Sequence, residues 1–327
     1  MSEFHIVPAT ACRTALEDNP AHLRTIIENT YRAHDAGHTV NPDSHFLRFP
    51  DKPDDRVIAL PAYLAGHTHR IGIKWISSFP ANLDHGLPRA SAVLILNDHE
   101  TGRPLACLES AHISAHRTAA SAALAAQTLG GNRARSVAVI GAGVIAATVL
   151  DHLAATDIEV TELACHDLDE ARAGRLLQDK HRDHAWPVRT VGLTQALDAD
   201  LVIFATTAAS AYVPEDHRFH PGQLVLNISL RDLAPDTILE AANILDDIDH
   251  CLKANTTPHR AEQATGNRDF IDGTLGGVLT GRDRPRPDRP VVFSPFGLGV
   301  LDIAVGDYVL DRSLNDGTAV AVPGFFA

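Results

Sequence analysis

The stretch that decides the fold is Ser136-Val-Ala-Val-Ile140-Gly141-Ala-Gly143-Val-Ile-Ala146-Ala-Thr-Val-Leu150. A short β-branched run leads straight into Gly-x-Gly-x-x-Ala, and an apolar helical pattern follows without a break. Gly141 permits a tight turn, Gly143 lets backbone approach a pyrophosphate, and Ala146 lets the helix pack closely on the strand. Val144 and Ile145 open that helix, whose free N–H groups and dipole favour phosphate. A second strand is expected over 160–166 and ends at Asp167, about 20 residues past the motif, as a dinucleotide fingerprint requires.

Asp167 bears on the choice of dinucleotide. A carboxylate there accepts from the ribose hydroxyls of NAD and repels a 2′-phosphate. His166, Asp169 and Glu170 surround it, and no cation comes before Arg172. NAD is therefore expected rather than NADP. Two alternatives stay open: Asp169 faces the ribose instead, or either residue caps the next helix.

Composition bounds what surrounds this core. A chain of 327 residues, 45% hydrophobic and 21% charged, is that of an ordinary globular protein with room for two domains. Its net charge of −13, without a Lys/Arg block, argues against nucleic acid and anionic membrane as partners. No charged leader with an apolar core opens the sequence and no run reaches membrane length, so a cytoplasmic protein is expected. Cys12, Cys107, Cys165 and Cys251 lack C-x-x-C spacing, which argues against a disulfide or zinc framework. His67-x-His69 and the His181/His184 pair lack further ligands at suitable spacing, so no metal is expected.

Outward from the motif, strand and helix alternate: a helix over 169–181, then strands near 188, over 200–207 and over 223–229. Further strands at 243–247 and 291–294 complete a doubly wound α/β sheet of Rossmann type. Thr207, Ser229 and Ser294 fall at strand carboxyl ends, where such sheets bind ligands. Before about residue 110 the pattern changes to an amphipathic helix over 20–38 and short strands with turn signals, a strand-rich α+β unit. An Ala-rich helix over 110–129 joins the two patterns, interrupted by Arg117 and Thr118. A last amphipathic helix is expected over 299–314, with a polar tail. The division expected is 1–116, rejoined by 304–327, as a substrate-binding and dimerisation domain, with 117–303 as the NAD-binding domain.

Several charged residues can carry chemistry. Lys74 lies in an apolar strand, and a buried ammonium must find either a ligand or a protein carboxylate. Arg48, Arg89 and Arg117 can each grip a carboxylate or phosphate in bidentate fashion. Asp232 follows a sheet strand and can serve as a general base, or can cap a helix starting near Pro235.

The runs Lys74-Trp-Ile-Ser-Ser-Phe-Pro-Ala-Asn82, Gly86-Leu-Pro-Arg89-Ala-Ser-Ala-Val and Arg117-Thr118-Ala-Ala-Ser-Ala-Ala-Leu, with the glycine motif behind them, resemble the ornithine cyclodeaminase/μ-crystallin family over essentially the whole chain. That resemblance implies an NAD-dependent enzyme acting on a small amino acid, and a homodimer. It implies Arg48, Lys74 and Arg117 as holders of the substrate α-carboxylate and Asp232 as the acid–base residue. It places Arg117, Thr118, Gly141, Gly143, Val144, Ile145, Asp167, Thr207, Ser229 and Ser294 along the cofactor. The fuller wording of 74–80 and 87–98, with Ile228-Ser-Leu-Arg-Asp232, is similar to the branch that oxidises N-(2-amino-2-carboxyethyl)-L-glutamate and releases 2,3-diaminopropionate. Three carboxylates in such a substrate draw attention to Arg89 and Arg231 as extra cations. Ornithine cyclodeaminase, amino-acid dehydrogenase and ketimine reductase activities are the alternatives within the family. A non-catalytic NAD-binding crystallin-like role is another, and the retained Lys74, Arg117 and Asp232 count against it. One departure is visible: cyclodeaminases usually follow the acid with Pro-Gly-Lys, whereas here Asp232-Leu-Ala-Pro-Asp236 stands.

Overall fold

The computed structural model describes residues 3–66 and 68–326, so His67 of the His67-x-His69 pair lies outside the described residues. The chain divides into Met1–Arg117 with Leu298–Ala327, and Thr118–Gly297. The expected limit at 303/304 falls inside the helix Gly299–Asn315, so the division comes earlier, at the loop before that helix.

In Thr118–Gly297 the apolar runs form an eight-stranded sheet in which every pairing is parallel. Its order is Val188–Thr190, Glu162–His166, Ser136–Ile140, Leu201–Phe204, Leu224–Asn227, Val291–Ser294, Ala242–Leu245, Ile271–Thr274. The chain builds outward from Ser136–Ile140 to one edge, then returns to lay Leu201–Phe204 on its other side. That reversal is the topological switch point, and the crevice at the strand carboxyl ends there is where doubly wound sheets take ligands. Leu201–Phe204 and Ala242–Leu245 are buried at every position, as parallel strands covered on both faces must be. The edge strand Ile271–Thr274 is missing from the sequence reading; Asp272, Gly273 and Thr274 give it almost no apolar signal.

The other unit holds an eight-stranded, mostly antiparallel sheet with helices Ala9–Glu17, Pro20–Asp35 and Gly299–Asn315. Ala92, Leu94 and Leu96 face the core along Ala90–Asp98, while Val93 is 39% exposed, the alternation of a sheet covered on one side. Helix Gly299–Asn315 lies close on that covered face because small residues permit it. A Cβ on Gly306 would come within 2.2 Å of the Leu94 side chain, and one on Gly72 within 2.7 Å of Ile303. In the expected polar tail, Val320–Val322 pairs with Phe4–Val7 and forms an edge of the sheet, and Phe325 stacks on Phe4 at 4.2 Å between centroids. Among the described residues, no helix is long and apolar enough to cross a membrane, and the four cysteines are free.

Candidate active site

Two groups of functional side chains form, one in each unit. In the mixed sheet, Lys74 is 2% exposed on the strand Arg70–Ser78, with its side chain on the face covered by Gly299–Asn315. The sequence demanded a partner, and the partner is Asp302 of that helix. Lys74 Nζ donates to Asp302 Oδ2 at 2.7 Å and to Ser114 Oγ at 3.2 Å. Arg117 Nε donates to the other oxygen, Oδ1, at 3.3 Å. One buried carboxylate thus balances two cations, and the group keeps one net positive charge. Burial pushes the Lys74 amine down to about 8, with the Arg117 charge acting the same way against the lift from Asp302.

Arg48 and Arg89, also expected at the substrate, lie farther along the same sheet. Arg48 pairs in register with Arg56, and its guanidinium sits 5.3 Å from the centre of the Phe46 ring. Arg89 Nη1 donates to the buried Ser78 hydroxyl at 2.8 Å. Arg231, which drew attention as an extra cation, donates from Nη2 and Nε to the carbonyls of Ala254 and Asn255, at 2.7 and 3.2 Å. It fastens a turn whose residues both have φ of 54°.

In the parallel sheet the glycine loop has the geometry its sequence requires. Gly141 has φ of 94°, and a Cβ there would lie 2.7 Å from the Ala205 carbonyl, so only glycine fits. Over Gly143 nothing lies within 4 Å of a built Cβ, which leaves backbone open to a ligand. Val144 begins the helix Val144–Ala154 and is 74% exposed, with Ile145 half-buried and Ala146 fully buried beneath. Asp167 Oδ2 accepts from Ala142 N at 2.7 Å and Oδ1 from Asp169 N at 2.9 Å. The carboxylate is therefore tied to the glycine loop and keeps lone pairs for ribose hydroxyls. Asp169 is the helix cap, accepting from Arg172 N, so capping falls to it and not to Asp167. These residues fit a dinucleotide.

Asp232 is fully buried. Its Oδ1 accepts from Thr206 Oγ1 at 2.5 Å and from the Tyr212 hydroxyl at 2.8 Å, while Oδ2 has no hydrogen-bond partner. The helix Pro235–Glu240 begins at Ala234 with no side-chain cap, so the capping reading of Asp232 falls. Burial and the Asp232 charge push the Tyr212 phenol far up, so it stays a donor. Ser294 Oγ accepts from Asn227 Nδ2 at 3.0 Å, and the Ser229 hydroxyl is buried without a partner. Thr207 is exposed, whereas its neighbour Thr206 carries the bond to Asp232. Thr118 lies in the helix Ala111–Thr128 and begins this unit. Asp246 holds the loop after Ser294, accepting from Phe296 N and Gly297 N at 3.1 and 2.6 Å.

The ornithine cyclodeaminase/mu-crystallin family model matches residues 8–317. The chain belongs to that family. Among its relatives, the nodulation efficiency protein NfeD of Rhizobium meliloti is 31% identical over 305 residues, 90% of this chain and 92% of that one. The N-((2S)-2-amino-2-carboxyethyl)-L-glutamate dehydrogenase of Staphylococcus aureus is 26% identical over 268 residues, 79% of each chain. The crystal structure of CmnK superposes with a TM-score of 0.89 at 28% identity, covering 100% of both chains.

For this family member, sequence reasoning missed Asp302, Thr206, Tyr212 and Asp246. Asp302 was within reach: it is the one acid in Val300-Leu301-Asp302-Ile303-Ala304-Val305, a lone charge in an apolar run that answers the lone charge of Lys74. No signal in the sequence pointed to Thr206 as a partner of Asp232. Among the described residues one trio of candidate metal ligands, His69, His99 and Glu100, comes within 4.8 Å, and all three are exposed. His99 also stacks on Tyr63, at 4.8 Å between ring centroids.

Proposed function

We propose that this protein is an NAD-dependent oxidoreductase that cleaves N-(2-amino-2-carboxyethyl)-L-glutamate to 2-oxoglutarate and 2,3-diaminopropionate. The observation that carries the reading is Asp232, a fully buried carboxylate past a strand end, with one oxygen fixed by two hydroxyls and the other open. Support for the substrate comes from the 26% identical relative that acts on it, and from the positive charge around Lys74.

Gly141, Gly143, Val144, Ile145, Asp167, Ser229 and Ser294 would hold the dinucleotide, with Arg117, Thr118 and Thr207 as further contacts. Held there, NAD would supply the two-electron oxidation of the glutamyl Cα–H bond. Lys74 and Arg117 hold the α-carboxylate, with Asp302 fixing both head groups. Asp232 takes the proton from the secondary amine as the C=N bond forms, or from the water that adds to that carbon. Collapse of the carbinolamine then splits the C–N bond. The balance is one substrate, one NAD and one water giving 2-oxoglutarate, 2,3-diaminopropionate, NADH and a proton. We take the active form to be a homodimer, checked by sedimentation.

The test is incubation of pure protein with the N-substituted glutamate and NAD, following NADH and both products. Equal amounts of all three are expected. Ornithine turned over to proline, with the N-substituted glutamate inert, would move the assignment to a cyclodeaminase.

A further inference from the structure

The strand registers arrange positive charge in rows on one face of the mixed sheet. Leu60, Lys74 and Leu94 stand opposite one another across three strands, and Arg48, Arg56, Ser78 and Ala90 do so across four. Directly paired residues share a face, as do residues two apart on one strand. Arg48, Arg56 and Ser78 therefore project on the face that carries Lys74. Lys74 and Ser78 are four positions apart, roughly 13 Å along the strand. Between the two rows lies Phe46, paired with Ile58, and the Arg48 guanidinium rests over its ring at 5.3 Å. Arg89 reaches the same patch through its bond to Ser78.

Like charges directly opposed across strands destabilise a sheet, and the ring of Phe46 and the hydroxyl of Ser78 carry no charge to offset them. None of Arg48, Arg56 and Arg89 comes within ion-pair distance of a carboxylate among the described residues, whereas Arg32, Arg70, Arg117 and Arg312 of the same unit each do. Acids are not scarce, at 41 Asp and Glu against 28 Lys and Arg. Arg56 and Arg89 are half-buried, and burial together with the neighbouring guanidinium lowers the hold of each on its proton. A cluster so costly and unpartnered has the character of a functional site held against stability.

We propose that Arg56 and Arg89, with Arg48 beside them instead of in the α-carboxylate role that the family resemblance implied for it, form a second anion subsite that takes a further carboxylate of a substrate whose α-carboxylate goes to Lys74 and Arg117. It deepens the reading of the substrate as an N-substituted glutamate and rests on it. Planar guanidiniums suit a carboxylate bidentately, and the two rows together select di- and tricarboxylic amino acids over alanine or ornithine.

The test pairs Arg56→Gln and Arg89→Gln with substrate analogues in which one carboxylate, either the glutamyl γ or that of the diaminopropionyl arm, is a carboxamide. Each variant is expected to raise KM for the full substrate by about 10–100-fold, as loss of a hydrogen bond to a charged group does, far more than it lowers kcat. The preference of the native protein for acid over amide should collapse in the variants for one analogue, which identifies the carboxylate held. Arg56→Lys should restore part of the loss. Apo Arg56→Gln should melt no lower than the native protein, since it relieves repulsion. Undiminished acid-over-amide preference for both analogues, in variants that melt normally, overturns the subsite. Should the native protein not turn over the N-substituted glutamate at all, the functional reading falls by itself. The subsite is then judged by calorimetry with glutarate and 2-oxoglutarate, where the two Gln variants must lose about tenfold in affinity or the proposal fails.

Discussion

Asp302 and Asp232 are both wholly removed from water, but their surroundings differ in kind. Asp302 meets two cations, Lys74 and Arg117, and each of its oxygens is taken. Asp232 meets only hydroxyls, from Thr206 and Tyr212, on a single oxygen. A carboxylate between two cations ties both head groups to one place. The hydroxyls around Asp232 are neutral donors, and its second oxygen is left without a partner. The contrast fits the roles proposed above, a positioning acid in Asp302 and a reacting one in Asp232, although burial alone makes them look alike.

The largest effect that sharpens this contrast is expected from Asp232→Asn, which keeps shape and hydrogen bonding but cannot accept the proton. Turnover should fall about 10²–10⁴-fold with NAD affinity nearly unchanged in a fluorescence titration. Near-native turnover would make Lys74 the next candidate for the base.

Asp302→Ala attacks the other side by stranding a buried ammonium. Urea denaturation should show a loss of about 3–5 kcal/mol, and Lys74→Met combined with Asp302→Leu should recover much of it, because a well-packed apolar pair often replaces a buried ion pair without loss. A single variant as stable as the native protein would mean that Lys74 is not held by Asp302.

A smaller effect follows from Lys74, whose amine titrates near 8 in the folded protein. Once it loses its proton it no longer attracts a carboxylate, so KM for the amino acid should climb above about pH 8 by up to tenfold per unit. Stability moves the opposite way. The unfolded chain binds more protons on this residue between about 8 and 10.5, so its contribution makes the fold more stable as pH rises through that window. Lys74→Met should remove both trends; a KM flat to pH 10 in the native protein would contradict the assignment.

The smallest change is expected from Asp167→Asn. It keeps an oxygen for Ala142 N–H and for ribose hydroxyls but removes the charge that repels a 2′-phosphate. Use of NADP should improve several-fold while NAD weakens slightly, read from the ratio of kcat/KM values. A native enzyme that uses both equally would remove the discriminating role of Asp167.

The parallel sheet was legible because its strands are buried on both faces and so are written as continuous apolar runs, with Gly141 and Gly143 marking the one turn that cannot vary. Lys74, Arg117 and Asp232 were legible because a charge in an apolar setting needs a reason. What the sequence hid depends on distance along the chain. Phe4–Val7 and Val320–Val322 are too short to show periodicity and exist as strands only because they pair with each other, Phe4–Val7 pairing also with Pro104–Glu109. Asp302 sits 228 positions from Lys74, so each charge was visible but the pairing was not. The Arg56 cluster depends on register, which alternation within one strand does not fix.

The discontinuity of the mixed-sheet unit has a consequence for synthesis. Its first 117 residues leave the ribosome long before the Leu298–Ala327 segment, and at about 5–20 residues per second the gap is on the order of ten seconds or more. Throughout that time Leu94 and Leu96 lack the helix that shields them, and Lys74 lacks its counter-ion. The parallel sheet, continuous in the chain, can finish first. Newly made protein is thus expected to pass through a half-folded stage with a greasy open sheet, the stage at which a chaperone has something to hold.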